Sequence, residues 1–355
     1  MTLSVPTIRD VLDARRLIGA HLRRTPLHFY PALSEFLGGE VYVKHENHQP
    51  IGAFKVRGGI NLMARLSDDE RRRGVITAST GNHGQSIAYA ARLFGVRAIV
   101  AMPERANPDK VDAMRRMGAE VIFHGKDFDE ARQYVERLAN ERGYRYIHSA
   151  NEPHLIAGVG TVGLEIIEDL PDVDAIIVPV GGGSQASGIS IVTKALSPQT
   201  EVIGVQSDAA PAVYLSWKAG RPQSTEQMNT FAEGLATRQG FELTVAILHE
   251  NLSDFVLVSD DEIRQAVVWL LAFTHNLAEP AGAAPLAAAY RWRERIRGRK
   301  VVLILSGANI TTASLREILN QCQDPPRPGS AEIRPASITG ERGLNEGTAR
   351  ASDRS

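Results

Sequence analysis

The sequence predicts an α/β protein built on parallel sheets. Short apolar, β-branched runs alternate along the chain with longer segments of helical period, and such alternation places helices on both faces of a parallel sheet. Three glycine-bearing turns also follow strand-like runs, at the carboxyl ends where open parallel sheets bind ligands. These turns are Ser79-Thr80-Gly81-Asn82-His83-Gly84, Gly181-Gly182-Gly183-Ser184 and Ser306-Gly307-Ala308-Asn309.

The elements follow in order. Thr7 with Asp10 three residues on marks a helix start, and helical period runs to about Leu22. Glu40–Lys44 alternates like a strand. Further strand-like runs are Val75–Ala78, Ala98–Met102, Glu120–Phe123, Tyr144–His148, Ala175–Val180, Val202–Gln206, Phe255–Val258 and Val301–Leu305. Helical stretches between them include Gln85–Phe94, Asn107–Met117 and Phe128–Arg142. Ser259 and Glu262 form a capping box ahead of Ile263, Ala266, Val267, Leu270 and Leu271, which share one helical face. No internal repeat is found. From Asp324 onward Pro, Gly, Arg, Ser and Glu dominate without apolar period, so Asp324–Ser355 is expected to be a disordered or loosely attached tail.

Composition narrows the function. A chain of 355 residues suggests two domains or one large α/β unit with a lobe, and 43% hydrophobic residues suffice for a sizeable core. A net charge of -1 with no basic run argues against a nucleic-acid polymer as partner. Cys322 is the single cysteine, so no intrachain disulfide forms, which suits a reducing compartment. Neither an apolar leader nor a membrane-length apolar run is present, and a cytoplasmic location is the expectation.

The chemistry begins at Lys55, in Gly52-Ala53-Phe54-Lys55-Val56-Arg57-Gly58-Gly59. A lone lysine is usually a solvated charge. Here Ala53, Phe54 and Val56 favour partial burial, which disfavours the ammonium form, and a neutral amine can condense with an aldehyde. Taken alone, the Ser79–Gly84 turn is either a plain connection or a nest of backbone donors for a carboxylate. Asn82 can donate to a phenolate oxygen, and His83 reads as a packing or orienting residue. Gly181, Gly183 and Ala186 match G-x-G-x-x-A, with Glu201 at the distance of a ribose-binding acid, although Glu201 begins its strand. Gly158-Val159-Gly160-Thr161-Val162-Gly163 also matches a dinucleotide fingerprint. Ser306 alone reads as a turn serine. No metal-ligand spacing appears among the ten histidines, and neither G-x-S-x-G nor a Walker A sequence occurs. One amine followed by three donor-rich loops suits an enzyme that holds a phosphorylated aldehyde covalently.

In this order the segments resemble the fold-type II pyridoxal-phosphate enzymes, and most closely their serine/threonine dehydratase branch, over about residues 5–322. The resemblance implies two open parallel-sheet α/β domains with the cofactor between them. Residues 1–73 and 152–322 would form the large domain, 74–151 a smaller closing domain, and 323–355 the tail. It implies that Lys55 is the Schiff-base lysine, with Phe54 beside it, and that Ser79, Thr80, Gly81, Asn82 and His83 bind the substrate carboxylate. Asn82 would also face the phenolate oxygen. Gly181, Gly182, Gly183 and Ser184 would cradle the phosphate, Ser306 would meet the pyridine nitrogen, and Glu279 in Glu279-Pro280-Ala281-Gly282-Ala283 would be an acid near the site.

The implied reaction is β-elimination from a β-hydroxy-α-amino acid of the threonine, serine or 3-phenylserine type, giving a 2-oxo acid and ammonia, in a homodimer. Departures from the family pattern bear on the details. Thr80 stands where the racemase has its second catalytic serine, so racemisation is disfavoured. Gln206 and Ala212 replace the two acids that hold a divalent cation in several relatives, so no divalent metal is expected. The neutral surroundings of Gln206 would suit a weakly hydrated monovalent ion or water. No room remains after Cys322 for a regulatory domain. A β-replacement enzyme of the same fold, a racemase, a nicotinamide oxidoreductase and a non-catalytic ligand sensor stay open as alternatives.

Overall fold

The computed structural model describes residues 4–126 and 128–325. The predicted tail from 326 onward therefore lies outside the described residues. The chain runs through α1 (Ile8–Ile18), β1 (Leu27–Phe29), α2 (Pro31–Leu37), β2 (Glu40–His45), a 3-10 turn (Glu46–His48), α3 (Val56–Ala64), α4 (Asp68–Arg73), β3 (Val75–Ala78), α5 (Asn82–Phe94), β4 (Ala98–Met102), α6 (Pro108–Arg116), β5 (Glu120–Phe123) and α7 (Phe128–Arg142). It continues through β6 (Arg145–Tyr146), α8 (Pro153–Asp169), β7 (Ala175–Pro179), α9 (Ser184–Leu196), β8 (Glu201–Ser207), α10 (Ala212–Ala219), a 3-10 turn (Glu233–Leu235) and α11 (Glu242–Asn251). Last come β9 (Asp254–Val258), α12 (Asp260–Thr274), α13 (Pro280–Arg291), α14 (Arg293–Ile296), β10 (Lys300–Leu305) and α15 (Thr312–Gln321).

Local chemistry explains the boundaries. Thr7 and Asp10 form a reciprocal capping box at α1, and Ser259 and Glu262 do the same at α12. Pro108, Pro153 and Pro280 open α6, α8 and α13, where the missing N–H costs nothing. Helix α1 stops at Ile18, short of the expected Leu22, because Gly19 caps it. The expected Tyr144–His148 strand shrinks to β6. Beyond Ile147 the Nδ1 atom of His148 accepts the N–H groups of Ala150 and Asn151 at 3.0 Å each, which turns the chain. Strand β1 was not anticipated; its three residues lie between Pro26 and Pro31 and are too few to show a period.

Two sheets result. Six strands run in the order β1-β2-β10-β7-β8-β9, parallel except for the β1–β2 pair, and four parallel strands run β5-β4-β3-β6. Strand β7 is buried along its length, and its residues alternate between two cores. Ala175 and Ile177 join α12 and α13 on one face, while Ile176 and Val178 meet Val162 and Ile166 of α8 and Ala186 and Ile189 of α9 on the other. This two-sided cover is the physical reason the strands read as unbroken apolar runs. Among the described residues no helix is long and apolar enough to cross a membrane.

The literal G-x-G-x-x-G at 158–163 is no phosphate loop. It lies inside α8, where the glycines allow backbone contact: a Cβ at Gly158 would sit 2.7 Å from the Arg57 carbonyl oxygen, and one at Gly160 3.0 Å from that of Gly188. Glu201 begins β8 and pairs with Arg295 and Arg299, so it does not occupy a ribose-binding position at a strand end.

Candidate active site

Lys55 is the N-cap of α3, and its loop is stitched to the loop that follows β10. The Phe54 N–H donates to the Ser306 carbonyl at 3.0 Å, Ala53 bridges Gly307, the Ala308 N–H donates to the Gly52 carbonyl at 2.9 Å, and Asn309 Nδ2 donates to the Ile51 carbonyl at 2.8 Å. Gly52 needs its positive φ of 67° for this course, and a Cβ there would meet Asn309 Oδ1 at 3.0 Å. Lys55 is half-buried. Its Nζ lies 5.4 Å from the Phe54 ring centroid and, among the described residues, donates one long hydrogen bond, 3.4 Å to the Ser149 carbonyl. Desolvation lowers its pKa to about 8.

The turn between β3 and α5 joins the same assembly. Asn82 opens α5; its Nδ2 donates to Glu279 Oε1 at 2.8 Å, and its Oδ1 accepts from Asn309 Nδ2 at 2.7 Å. Thus the Lys55 loop, the Asn82 turn, the Ser306 loop and the start of α13 are linked by a continuous hydrogen-bond chain. Burial pushes Glu279 up to about 7, against the hydrogen bond from Asn82 and the nearby Lys110 charge. Ser79 is buried and spends its hydroxyl inside the turn, accepting from the N–H of Gly81 at 3.2 Å and of Gly84 at 2.9 Å. The N–H groups of Thr80, Asn82 and His83 have no protein acceptor among the described residues.

His83 is buried and neutral. Thr77 Oγ1 gives its hydrogen to the Ile147 carbonyl at 2.9 Å, so the His83 Nε2–H must be the donor in the 2.9 Å contact to Thr77. That leaves His83 Nδ1 as a buried lone pair without a partner. Burial first, then the charges of Lys55 and His148, hold its pKa well below the ordinary value.

Gly181–Ser184 leads from β7 into α9. Gly183 is the N-cap at φ 94°, and a Cβ on Gly181 would fall 2.2 Å from the Gly234 carbonyl oxygen. No hydrogen bond from the N–H groups of Gly181 to Ala186 to a protein acceptor is found among the described residues. A row of free N–H groups at a helix N-terminus, on glycines where no side chain fits, is an anion cradle. Ser306 is buried, and no hydrogen bond from its hydroxyl to protein is found among the described residues. The free donors, the amine with its lowered pKa and the orphan His83 nitrogen together fit pyridoxal phosphate.

Gln206 is buried at the end of β8, but its amide is already engaged: Oε1 accepts from the Tyr214 N–H at 3.0 Å, and Nε2 approaches the Leu235 carbonyl at 3.5 Å. Two features escaped sequence reasoning. His148 lies near Lys55 with its ring edge-on to Phe241 at 4.7 Å; burial first, then Arg132 and Lys55, depress it to about 4. A buried charge cluster of Lys44, Glu46, Arg57 and Glu165 lies just beyond Lys55. Charged residues in apolar strand and helix patterns hinted at it, but their pairing needs the fold.

The chain belongs to the family described as pyridoxal-phosphate dependent enzyme, whose model matches residues 18–307. It is a lyase of that family, and named ammonia-lyases are among its relatives. It is 41% identical to an L-threonine ammonia-lyase of Thermotoga maritima over 89% of this chain and 78% of that one. It is 36% identical to an L-threo-3-hydroxyaspartate ammonia-lyase of Saccharomyces cerevisiae, over 91% and 99%. Among solved structures it resembles the processed threonine deaminase isoform 2 of Solanum lycopersicum, with a TM-score of 0.84 and 34% identity over 90% and 91% of the two chains. A serine racemase of Dictyostelium discoideum gives 0.81 and 33% over 87% and 100%. The chain spans 59% of the length of the biosynthetic threonine dehydratase of Escherichia coli.

Proposed function

We propose that the chain eliminates water from a β-hydroxy-α-amino acid and releases a 2-oxo acid and ammonia. Threonine or serine is the default substrate; 3-phenylserine and 3-hydroxyaspartate belong in the same test, the latter because of the yeast relative. The hydrogen-bond chain that gathers Lys55, Asn82, Ser306 and Glu279 at one place carries this reading.

Bound pyridoxal phosphate supplies an electron sink next to Cα. Lys55 would hold it covalently, with Phe54 beside the amine; Gly181, Gly182, Gly183 and Ser184 would hold its phosphate, and Ser306 and Asn82 its ring. The free N–H groups of Thr80, Asn82 and His83 would hold the substrate carboxylate, with Ser79 and Gly81 shaping the turn. Lys55, whose amine is lowered by burial to about 8, would take the Cα proton. Ser306, uncharged, would leave the ring nitrogen without an ionic partner, which suits elimination. Thr80, whose methyl restricts its hydroxyl, is a poor second acid on the opposite face, which favours elimination over racemisation.

The two sheets are proposed as lobes closing on the substrate, in a cytoplasmic homodimer. No divalent metal is proposed; a monovalent ion near Gln206 would bind through carbonyl oxygens.

The test is 2-oxo acid release over a panel of hydroxy amino acids without added nucleophile, with Lys55→Ala as control. Turnover should fall by at least about 1,000-fold in the variant. A β-substituted amino acid formed only with an added nucleophile, in place of 2-oxo acid, would favour β-replacement, rapid appearance of the opposite enantiomer a racemase, and normal turnover by Lys55→Ala would end the reading.

A further inference from the structure

The segment that carries Lys55 is tied at both ends by one side chain. It leaves the 3-10 turn at Glu46, passes Pro50 and Gly52, and enters α3, where Arg57 turns back to its start. Arg57 Nε donates to Glu46 Oε2 at 2.7 Å and Nη2 to Glu46 Oε1 at 2.8 Å. The other edge of the guanidinium meets α8: Nη1 donates to Glu165 Oε1 at 2.7 Å and Nη2 to Glu165 Oε2 at 2.9 Å. Thr161 Oγ1 accepts from Nη1 at 3.1 Å, and Lys44 Nζ donates to Glu165 Oε2 at 2.6 Å and to the Thr25 carbonyl at 2.8 Å. Relative exposure is 0% for Lys44 and Glu46, 1% for Arg57 and 7% for Glu165, so the four charges are buried and sum to zero.

Burying charges is costly, and well-packed apolar residues often hold a fold as firmly. What the fork adds is direction. A planar guanidinium meets two carboxylates only in its plane and along its edges, so it sets the rotation of the first turn of α3 against the 3-10 turn that follows β2 and against α8. Lys55 sits in that turn: its carbonyl accepts from the Gly59 N–H at 3.2 Å and from Ser86 Oγ at 2.6 Å, and the Arg57 N–H bonds back to Phe54 at 3.1 Å.

We propose that Arg57, clasped between Glu46 and Glu165, is a positioning residue that fixes where the Lys55 amine stands relative to the Ser306 and Gly181–Ser184 loops. This rests on the reading of Lys55 as the cofactor lysine. Misplacing a reacting group by about 1 Å costs roughly 100-fold in rate, so the effect should appear in chemistry and not in substrate binding.

The experiment compares the native chain with Glu46→Gln/Arg57→Met, which removes one charge of each sign and leaves the Lys44–Glu165 pair intact. Pyridoxal phosphate is added to cofactor-free protein, attachment is trapped with borohydride at timed intervals, and the labelled peptide is located by mass spectrometry. The double variant should melt within about 5 °C of the native chain. Attachment at Lys55 and kcat should each fall at least roughly 10-fold, with KM changed by less than about 3-fold. Attachment and kcat within about 2-fold of native in a folded variant would overturn the proposal. If the double variant does not fold, Arg57→Lys decides by the same readouts, since it keeps the charge and loses the fork. Failure of both to fold would make the cluster a folding determinant and overturn the positioning role. Label on the native chain anywhere but Lys55 would instead refute the cofactor-lysine reading itself.

Discussion

Replacing Glu279 by glutamine should stabilise the cofactor-free protein, and increasingly so as the pH rises. Glu279 is buried behind Asn82, and burial pushes its carboxyl from 4.5 to about 7. A shift of this size corresponds to about 3 kcal/mol between the two protonation states. The sign follows from proton uptake. Because the folded value lies above the unfolded one, the folded state holds the extra proton, and stability is lost as pH rises from the unfolded value through the folded one. Glutamine mimics the protonated acid and keeps an oxygen to accept from Asn82, so the variant escapes that loss. Its advantage over the native chain should grow by about 2.5 kcal/mol between about pH 5 and pH 8. Urea unfolding of both proteins across this range measures the difference directly. A constant offset would show that Glu279 ionises in the fold as it does in water, and would refute the assignment of a buried, proton-holding carboxyl.

Three further outcomes follow from named contacts. Gly183→Ala places a Cβ at φ 94° and 3.0 Å from Leu248 Cδ1; strain of about 1–2 kcal/mol should lower pyridoxal-phosphate affinity by roughly 10-fold in a titration of cofactor-free protein while sparing kcat at saturation. Glu165 is held below its ordinary 4.5 by Arg57 and Lys44, which outweigh its burial. Glu165→Gln should therefore cost about 3–5 kcal/mol at neutral pH, a cost that circular dichroism should show shrinking as pH falls from about 4.5, where the unfolded carboxylate takes up its proton, to the lower pH at which the folded one does. Turnover should survive a divalent chelator, since the Gln206 oxygen is already taken by the Tyr214 N–H. Restoration by magnesium after chelation would point to a carboxylate such as Asp208 or Glu233.

The architecture was largely legible before any coordinates. Val75–Ala78 and Ala98–Met102 are strands with the expected limits, because a strand covered on both faces must be apolar throughout and its ends fall at turn residues; Glu120–Phe123, a partly exposed edge strand, keeps its expected limits between Gly118 and Gly125. The capping boxes of α1 and α12 were equally visible, because a cap is a contact between residues three apart. Local sequence likewise drew attention to Lys55 and the three glycine-bearing turns by residue type, and the fold links Lys55's loop to the turns at Asn82 and Ser306. Long-range structure decided the rest. Only the fold shows that the glycines at 158–163 serve helix contacts inside α8, that Ser79 spends its hydroxyl within its own turn, and that Asn82 reaches Glu279, 197 positions away. It alone closes Arg57 between Glu46 and Glu165, because a charge in a sequence carries no record of its partner, and in a buried site the partner determines what the charge does.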